Sequence, residues 1–297
     1  MSGGDQPGQA LNAPLLLDRY QPLALIARGG SASVFSGRDE SLGRAVAIKV
    51  FSGGTESHVS QYRHELRVLA ALSHHGLVSI LDAGVDLSTP EDPRPFLIME
   101  LVPGRTLRAT LAEHALSLRQ IGEIGYEVAE ALEYVHARGI IHRDITPSNI
   151  MLVDYGVGQS RVRARLTDFG IAIHSERAVE SAATVTGTAA YLSPEQVRGL
   201  PLSTASDIYS LGLVLLECFT RTIQYPGDPV ASAMARLRRD PEIPDIVSGP
   251  WRSLIERMTA REPAERPSAV VVGKELRRAL RSSGPHAIRS DLRRPRS

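Results

Sequence analysis

His142-Arg143-Asp144-Ile145-Thr146-Pro147-Ser148-Asn149, followed by Asp168-Phe169-Gly170, is the stretch from which the fold of this chain can be read. It sets one carboxylate, Asp144, five residues ahead of an amide, Asn149, and a second carboxylate, Asp168, nineteen residues beyond that amide. The first carboxylate is placed to act as a base for a hydroxyl. The amide oxygen and the second carboxylate are hard oxygen donors of the kind Mg²⁺ prefers. Together they are the equipment for moving a phosphoryl group.

The rest of the chain has to be compatible with that chemistry. Its 297 residues suffice for one large domain or two joined lobes, and an apolar fraction of 42% supports a sizeable core. A formal net charge of +1 gives no reason to expect a nucleic-acid partner. Cys218 is the single cysteine, which excludes an intrachain disulfide and fits a reducing compartment. No charged-then-apolar leader opens the sequence, and the longest apolar stretch, around Leu211 to Leu216, falls far short of a membrane helix. The expectation is a soluble, cytoplasmic chain with no transmembrane segment. Thirty-two of the 34 basic residues are arginine, so the two lysines, Lys49 and Lys274, stand out. Gly273-Lys274 is followed by Glu275, which excludes a P-loop.

Residues 1–17 are Gly-, Gln- and Pro-containing and read as disordered. YQPLALIA, ASVFSGRD and GRAVAIKVF then read as antiparallel strands, with turns at Gly29-Gly30 and Ser41-Leu42-Gly43. His58 to Leu72 carries a helical apolar face through Tyr62, Leu66, Leu69 and Leu72. GLVSILDAGV and PFLIMEL return to strand character across the acidic, Pro-rich STPEDPRP. Past Pro103-Gly104 the chain turns helical: Ile121, Ile124, Val128, Leu132 and Val135 keep helical spacing, with Gly139 as C-cap. Further helices are expected over 204–219, 229–239, 251–259 and 268–281, and IMLV and LTDF read as short strands. The hinge is placed near 101–104, and residues 282–297 read as an Arg-rich disordered tail.

Three more motifs complete the series: Ala45 to Lys49 (AVAIK), Thr184 to Gln196 (TVTGTAAYLSPEQ), and the pair Asp207 (in SDIYSLG) and Arg266 (in PAERPS). With these motifs in this order, the chain resembles the protein kinase superfamily, most closely the eukaryotic-like Ser/Thr kinases of bacteria, over about Tyr20 to Leu280. The resemblance implies an α+β, bilobal fold across 18–281. An antiparallel β-sheet lobe with one helix (18–101) is followed by a mainly helical lobe (102–281).

It also implies roles. Asp144 would orient and deprotonate the acceptor hydroxyl, while Asn149 and Asp168 would bind Mg²⁺ or Mn²⁺. Lys49 would hold the phosphates of ATP and pair with Glu65. The ATP site would further draw on Ala27, Gly29, Gly30, Val34, Ala47, Met99, Glu100, Val102 and Met151. Val34 and Ala47 would cover adenine from above and Met151 from below. His142 is expected to be a packed, structural histidine. Glu195 would pair with Arg266. Partners would be proteins bearing Ser or Thr, and self-association for autophosphorylation in trans is compatible with the pattern. Thr184 and Thr186 are the candidate phosphorylation sites, and Arg143 would pair with the added phosphate.

The sequence departs from the family pattern in four places. Ala27 and Ala32 stand where the Gly-rich loop has its outer glycines. Thr146 replaces the lysine that contacts the γ-phosphate, Ser193 replaces the commoner Ala before Pro-Glu, and the stretch between Asn149 and Asp168 is several residues longer than usual. Thr146 is counted with the catalytic set on position alone. Two other readings follow from these departures. A pseudokinase acting as a nucleotide-binding scaffold would explain Ala27, Ala32 and Thr146, although all of Lys49, Glu65, Asp144, Asn149 and Asp168 are present. A small-molecule phosphotransferase would share the Asp-to-Asn loop but has no use for GTAAYLSPEQ.

Overall fold

The computed structural model of the chain describes residues 15–30, 32–52, 68–89, 92–153, 163–169 and 188–282. Glu65, Thr184, Thr186 and residues 283–297 lie outside the described residues. The chain divides into two compact units, with the break between Pro103 and Gly104.

The first unit is a five-stranded sheet of β1 (Tyr20–Arg28), β2 (Ala32–Asp39), β3 (Arg44–Phe51), β4 (Ile80–Asp86) and β5 (Arg94–Glu100), in the order β1-β2-β3-β5-β4. All neighbours are antiparallel. Period-2 alternation in β3 and β5 sorts the core onto two faces. Val46, Ile48, Phe96 and Ile98 cluster on one face with Tyr20 and Leu16. Ala47, Phe51, Leu97 and Met99 cluster on the other. Each fully buried large aliphatic contributes about 1.5–3 kcal/mol, so a one-residue slip in register would forfeit most of this unit's stability. Leu16, which the sequence places in the disordered N-terminal segment, is buried and bridges to Tyr20. The packed chain therefore extends back beyond residue 18. Of the helix expected over 58–72, residues 68–72 fall within the described residues; 68–70 are helical, and the helix ends before Ala71 and Leu72.

In the second unit β6 (Arg105–Thr106), β7 (Ile150–Val153) and β8 (Arg163–Leu166) form a small antiparallel sheet. The helices are α1 (Leu107–Glu113), α2 (Leu118–His136), α3 (Pro194–Val197), α4 (Thr204–Thr220), α5 (Pro229–Arg238), α6 (Pro250–Met258) and α7 (Ala269–Ser282). The helix α2 starts at a capping box in which Ser117 and Gln120 satisfy each other's backbone amides. It ends at Gly139, whose φ of +72° lets its N–H reach the His136 carbonyl (3.0 Å) and the Ile140 N–H reach that of Val135 (3.1 Å). Nearly every residue of α4 from Ser206 to Cys218 is buried, the mark of a helix at the centre of its unit. Gly122 lets α2 approach α7: a Cβ there would sit 2.6 Å from the Leu280 side chain.

Two expectations need correction. The strand read as LTDF is RARL instead, ending at Leu166, because Asp168 takes φ +61° and cannot continue a strand. The helix α1, capped by Thr106 Oγ1 accepting the Ala109 amide at 3.1 Å, was not anticipated.

Candidate active site

In the second unit the site is built on the carboxylate of Asp207, in the first turn of α4. Asp207 accepts the backbone N–H groups of His142 and Arg143, each at 2.8 Å, and faces His136 Nε2 at 2.8 Å. An acceptor in that place fixes the His136 tautomer, with the proton on Nε2. Arg143 sits at φ +70°, a left-handed conformation unusual for a residue other than glycine and sustained here by the bond to Asp207. Gln196 adds a second hold: its Nε2 donates to the Arg143 carbonyl at 2.8 Å while its Oε1 accepts the Ser193 N–H. Ser193, in place of the commoner alanine, therefore caps α3 with the same glutamine that braces the catalytic loop.

His142 is fully buried, and burial pushes its imidazole below the ordinary value, so it is neutral. Its Nε2–H donates to the Thr167 carbonyl at 3.1 Å and its ring packs on Phe169 with centroids 4.6 Å apart. The described residues offer no partner for its Nδ1. This is a packed histidine that ties the 142–149 loop to the 166–169 segment.

The next residues close a ring. Pro147–Asn149 form a 3₁₀ turn in which the Asn149 amide donates to the Thr146 carbonyl at 3.0 Å. The Asn149 side-chain Nδ2 then reaches back to the Asp144 carbonyl (2.9 Å) and carboxylate (2.8 Å). Two acceptors on Nδ2 settle the amide's orientation and leave Oδ1 as the oxygen donor. The hairpin register Ile150↔Leu166 brings Asn149 opposite Thr167, whose N–H donates to the Asn149 carbonyl at 3.0 Å. Asp168 follows directly. Asp144, Asn149 and Asp168 are thus collected at one end of the β7–β8 hairpin. The longer connection, 154–162, joins the strands at the other end, past Val153↔Arg163. Met151 lies on β7, opposite Thr106 and Arg165. Thr146 is buried at the entrance to the turn.

An amide oxygen and a carboxylate from adjacent backbone fit a divalent cation that completes its shell with phosphate oxygens and water. Among the described residues no cluster of three or more His, Cys, Asp or Glu could hold a metal unaided.

Behind these residues lies a scaffold that sequence reasoning only partly saw. Glu195 and Arg266 form a buried, two-pronged ion pair (2.6 and 2.9 Å), joined by the Ser206 hydroxyl at 2.7 Å. Burial would raise the Glu195 carboxyl, but Arg266 and Ser206 outweigh it and hold it below the usual value. Tyr191 donates to Glu217, and Arg108 donates to both the Tyr191 hydroxyl and Glu217. This second cluster, like Gln196 and His136, was missed by sequence reasoning.

In the first unit, strand register decides which candidates share a face. Ala27↔Val34, Val34↔Lys49 and Lys49↔Leu97 place these residues in one row across four strands. Ala47 and Met99 pair directly and share that face by parity. Lys49 Nζ lies 5.3 Å from the Phe51 ring two residues on. Ala27, Val34, Ala47, Lys49 and Met99 therefore line one surface. At the turn, the Gly29 N–H donates to the Ala32 carbonyl at 2.8 Å, the closing bond of a hairpin. Gly30 follows in the same turn. Glu100 donates its N–H to the Ser79 carbonyl (2.9 Å), and Val102 is buried.

The sequence matches the protein kinase domain family over residues 20–275. The chain belongs to the protein kinase family. Among curated relatives, the serine/threonine-protein kinase PknL of Mycobacterium tuberculosis (strain H37Rv) is 35% identical over 278 residues, covering 90% of this chain and 67% of PknL. PknB of the same strain is 36% identical over 263 residues, covering 84% of this chain and 41% of PknB. PknB of Mycolicibacterium smegmatis is 39% identical over 237 residues, covering 77% and 37%. The chain thus spans two thirds of PknL and about two fifths of PknB. These relatives bear out the resemblance to eukaryotic-like bacterial Ser/Thr kinases, and the fold described above is the bilobal kinase fold. Members of the family use ATP with a divalent metal. Of the two lysines, Lys49 lies on β3 in the first unit and Lys274 is exposed on α7. No helix among the described residues is long and apolar enough to cross a membrane.

Proposed function

We propose that this kinase transfers the γ-phosphoryl group of ATP to serine and threonine hydroxyls of proteins, with Mg²⁺ as the metal. The observation that carries the reading is the Asn149 side chain bonded to both the carbonyl and the carboxylate of Asp144, beside Asp168. Asp144 orients the acceptor hydroxyl and takes its proton as the new oxygen–phosphorus bond forms. The bond from the γ-phosphorus to the β–γ bridging oxygen breaks, and ADP leaves. Asn149 and Asp168 hold Mg²⁺, which when bound neutralises charge on the transferring group. Lys49, partnered by Glu65, holds the remaining phosphates, and the row that includes Ala27, Val34, Ala47 and Met99 packs on the adenine. The names of the relatives, and the GTAAYLSPE segment, support Ser/Thr acceptors over tyrosine.

This reading places the kinase in the cytoplasm, consistent with a single, buried cysteine. It includes autophosphorylation in trans at Thr184 or Thr186, ordered by Arg143. Incubation of purified protein with labelled ATP and Mg²⁺, followed by phosphosite mapping, tests it. Label is expected on Ser or Thr and absent from Asp144→Asn. Equal labelling of that variant would remove Asp144 from the role given to it.

A further inference from the structure

Arg236, on α5, is the largest fully buried side chain in the described structure. Among the described residues none of its hydrogen-bond partners is a carboxylate. Its guanidinium donates instead to the carbonyls of Ala189 and Leu192, and to the carbonyl and hydroxyl of Ser232 at 3.1 and 3.2 Å. The Tyr225 ring lies 4.8 Å away, with its hydroxyl 3.4 Å from that of Tyr209. Burial pulls Arg236 down to about 10, while Tyr209 and Tyr225 pull the other way. It stays a cation at neutral pH.

A cation in such a place is expensive, and a methionine or leucine would fill the space more cheaply. What arginine alone supplies is a rigid fork that can grip two carbonyls three residues apart. The gripped segment has no strand partner. Its backbone is held by side chains: Ala189 and Leu192 by Arg236, and Tyr191 by the Ser210 hydroxyl at 2.8 Å. It runs directly into Ser193, which caps the helix whose Gln196 braces the catalytic loop. The shape of residues 189–192 is therefore set from below by Arg236.

We infer that Arg236 is a positioning residue for the protein substrate: it shapes residues 189–192, within the GTAAYLSPE segment, and we place the acceptor peptide against them. The inference rests on the protein-kinase reading above, since it needs a peptide acceptor. It separates from a purely structural role by where the kinetic damage falls. Loss of the fork loosens the peptide platform, while Asp207 keeps its own hold on the His142 and Arg143 amides beside Asp144.

The test compares wild type, Arg236→Gln and Arg236→Lys in steady-state kinetics with a Ser/Thr peptide, in peptide-independent ATP hydrolysis, and in thermal melting. In Arg236→Gln the peptide KM should rise by about tenfold or more, with the ATP KM and basal hydrolysis within about twofold of wild type. Arg236→Lys keeps the charge but grips one carbonyl, and should fall between the two. Equal loss in peptide-dependent and basal turnover, or an unchanged peptide KM in a folded Arg236→Gln, would overturn the inference. So would loss of cooperative melting in both variants, which would make Arg236 a core staple. If wild type hydrolyses ATP but phosphorylates no peptide, the Ser/Thr kinase reading fails first and this inference with it.

Discussion

Replacing Asp207 with asparagine preserves shape and removes charge at the point where the catalytic loop is hung. Its Oδ2 serves the His142 N–H and His136 Nε2, and its Oδ1 serves the Arg143 N–H, all at 2.8 Å. An amide can reproduce only one of these two oxygens. The cheaper orientation keeps the Oδ2 bonds and turns an NH₂ group toward the Arg143 N–H, donor against donor. The orphaned N–H costs about 1–3 kcal/mol, and the two surviving bonds fall to roughly half of their charge-assisted strength. The loss is on the order of 3–4 kcal/mol, which at about 2–4 °C per kcal/mol lowers Tm by roughly 10 °C. Function should suffer by a separate route. Arg143 holds φ +70° and precedes Asp144, so releasing its N–H lets the strained residue relax and displace Asp144, the base of the proposed mechanism. A displacement costing only ~1.4 kcal/mol in the transition state is tenfold in kcat. Melting followed by circular dichroism, with kcat at saturating ATP and peptide, measures both effects. The expected result is a kcat at least about tenfold down, with nucleotide affinity close to wild type, because Lys49 is untouched. A variant melting within about 2 °C of wild type at full kcat would show that Asp207 does not hold the loop.

The Glu195–Arg266 pair should shape the acid limb of stability. The Glu195 carboxyl is held below its ordinary value of 4.5, so its contribution is full above that pH and is lost as pH falls through the lowered value. Denaturant titrations across the acid range should therefore show Glu195→Gln less stable at neutrality but losing less on acidification, and parallel curves would refute the linkage. Shortening the 154–162 connection to a tight hairpin should leave kcat within about twofold, because Asn149 and Asp168 sit at the opposite end of β7–β8. A large loss in a folded variant would mean that the connection reaches the chemistry.

Much of this architecture was legible because its signals are periodic or pairwise. The apolar runs GRAVAIKVF and PFLIMEL were readable as strands, and the structure adds that Val46, Ile48, Phe96 and Ile98 share one face. Helical spacing likewise found the body of α2, and α4 to α7 to within a residue or two. Short elements fixed by tertiary contacts were not legible. In RARLTDF nothing in the local sequence marks Leu166 as the last strand residue; the left-handed backbone of Asp168 ends it. The helix α1 offers seven residues with no sustained apolar period. The conformation of Arg143 has no sequence signal, since what holds it is a carboxylate sixty-four residues away.

The two buried arginines show where the boundary lies. Arg266 could be matched to Glu195 from sequence because both halves of the pair are side chains, each in a recognisable motif. Arg236 could not, because its partners on the segment are backbone carbonyls, which every residue carries and which no composition or spacing distinguishes. The same holds for Gln196 on the Arg143 carbonyl, while Asp207 was marked by its SDIYSLG motif but not the two backbone amides it holds. Chemistry that acts on substrate needs particular side chains, so it leaves a trace in the sequence. The supports that hold those side chains act largely on main chain, and so Asp144, Asn149 and Asp168 stand out in the sequence as candidates while the main-chain groups their supports grip appear only in three dimensions.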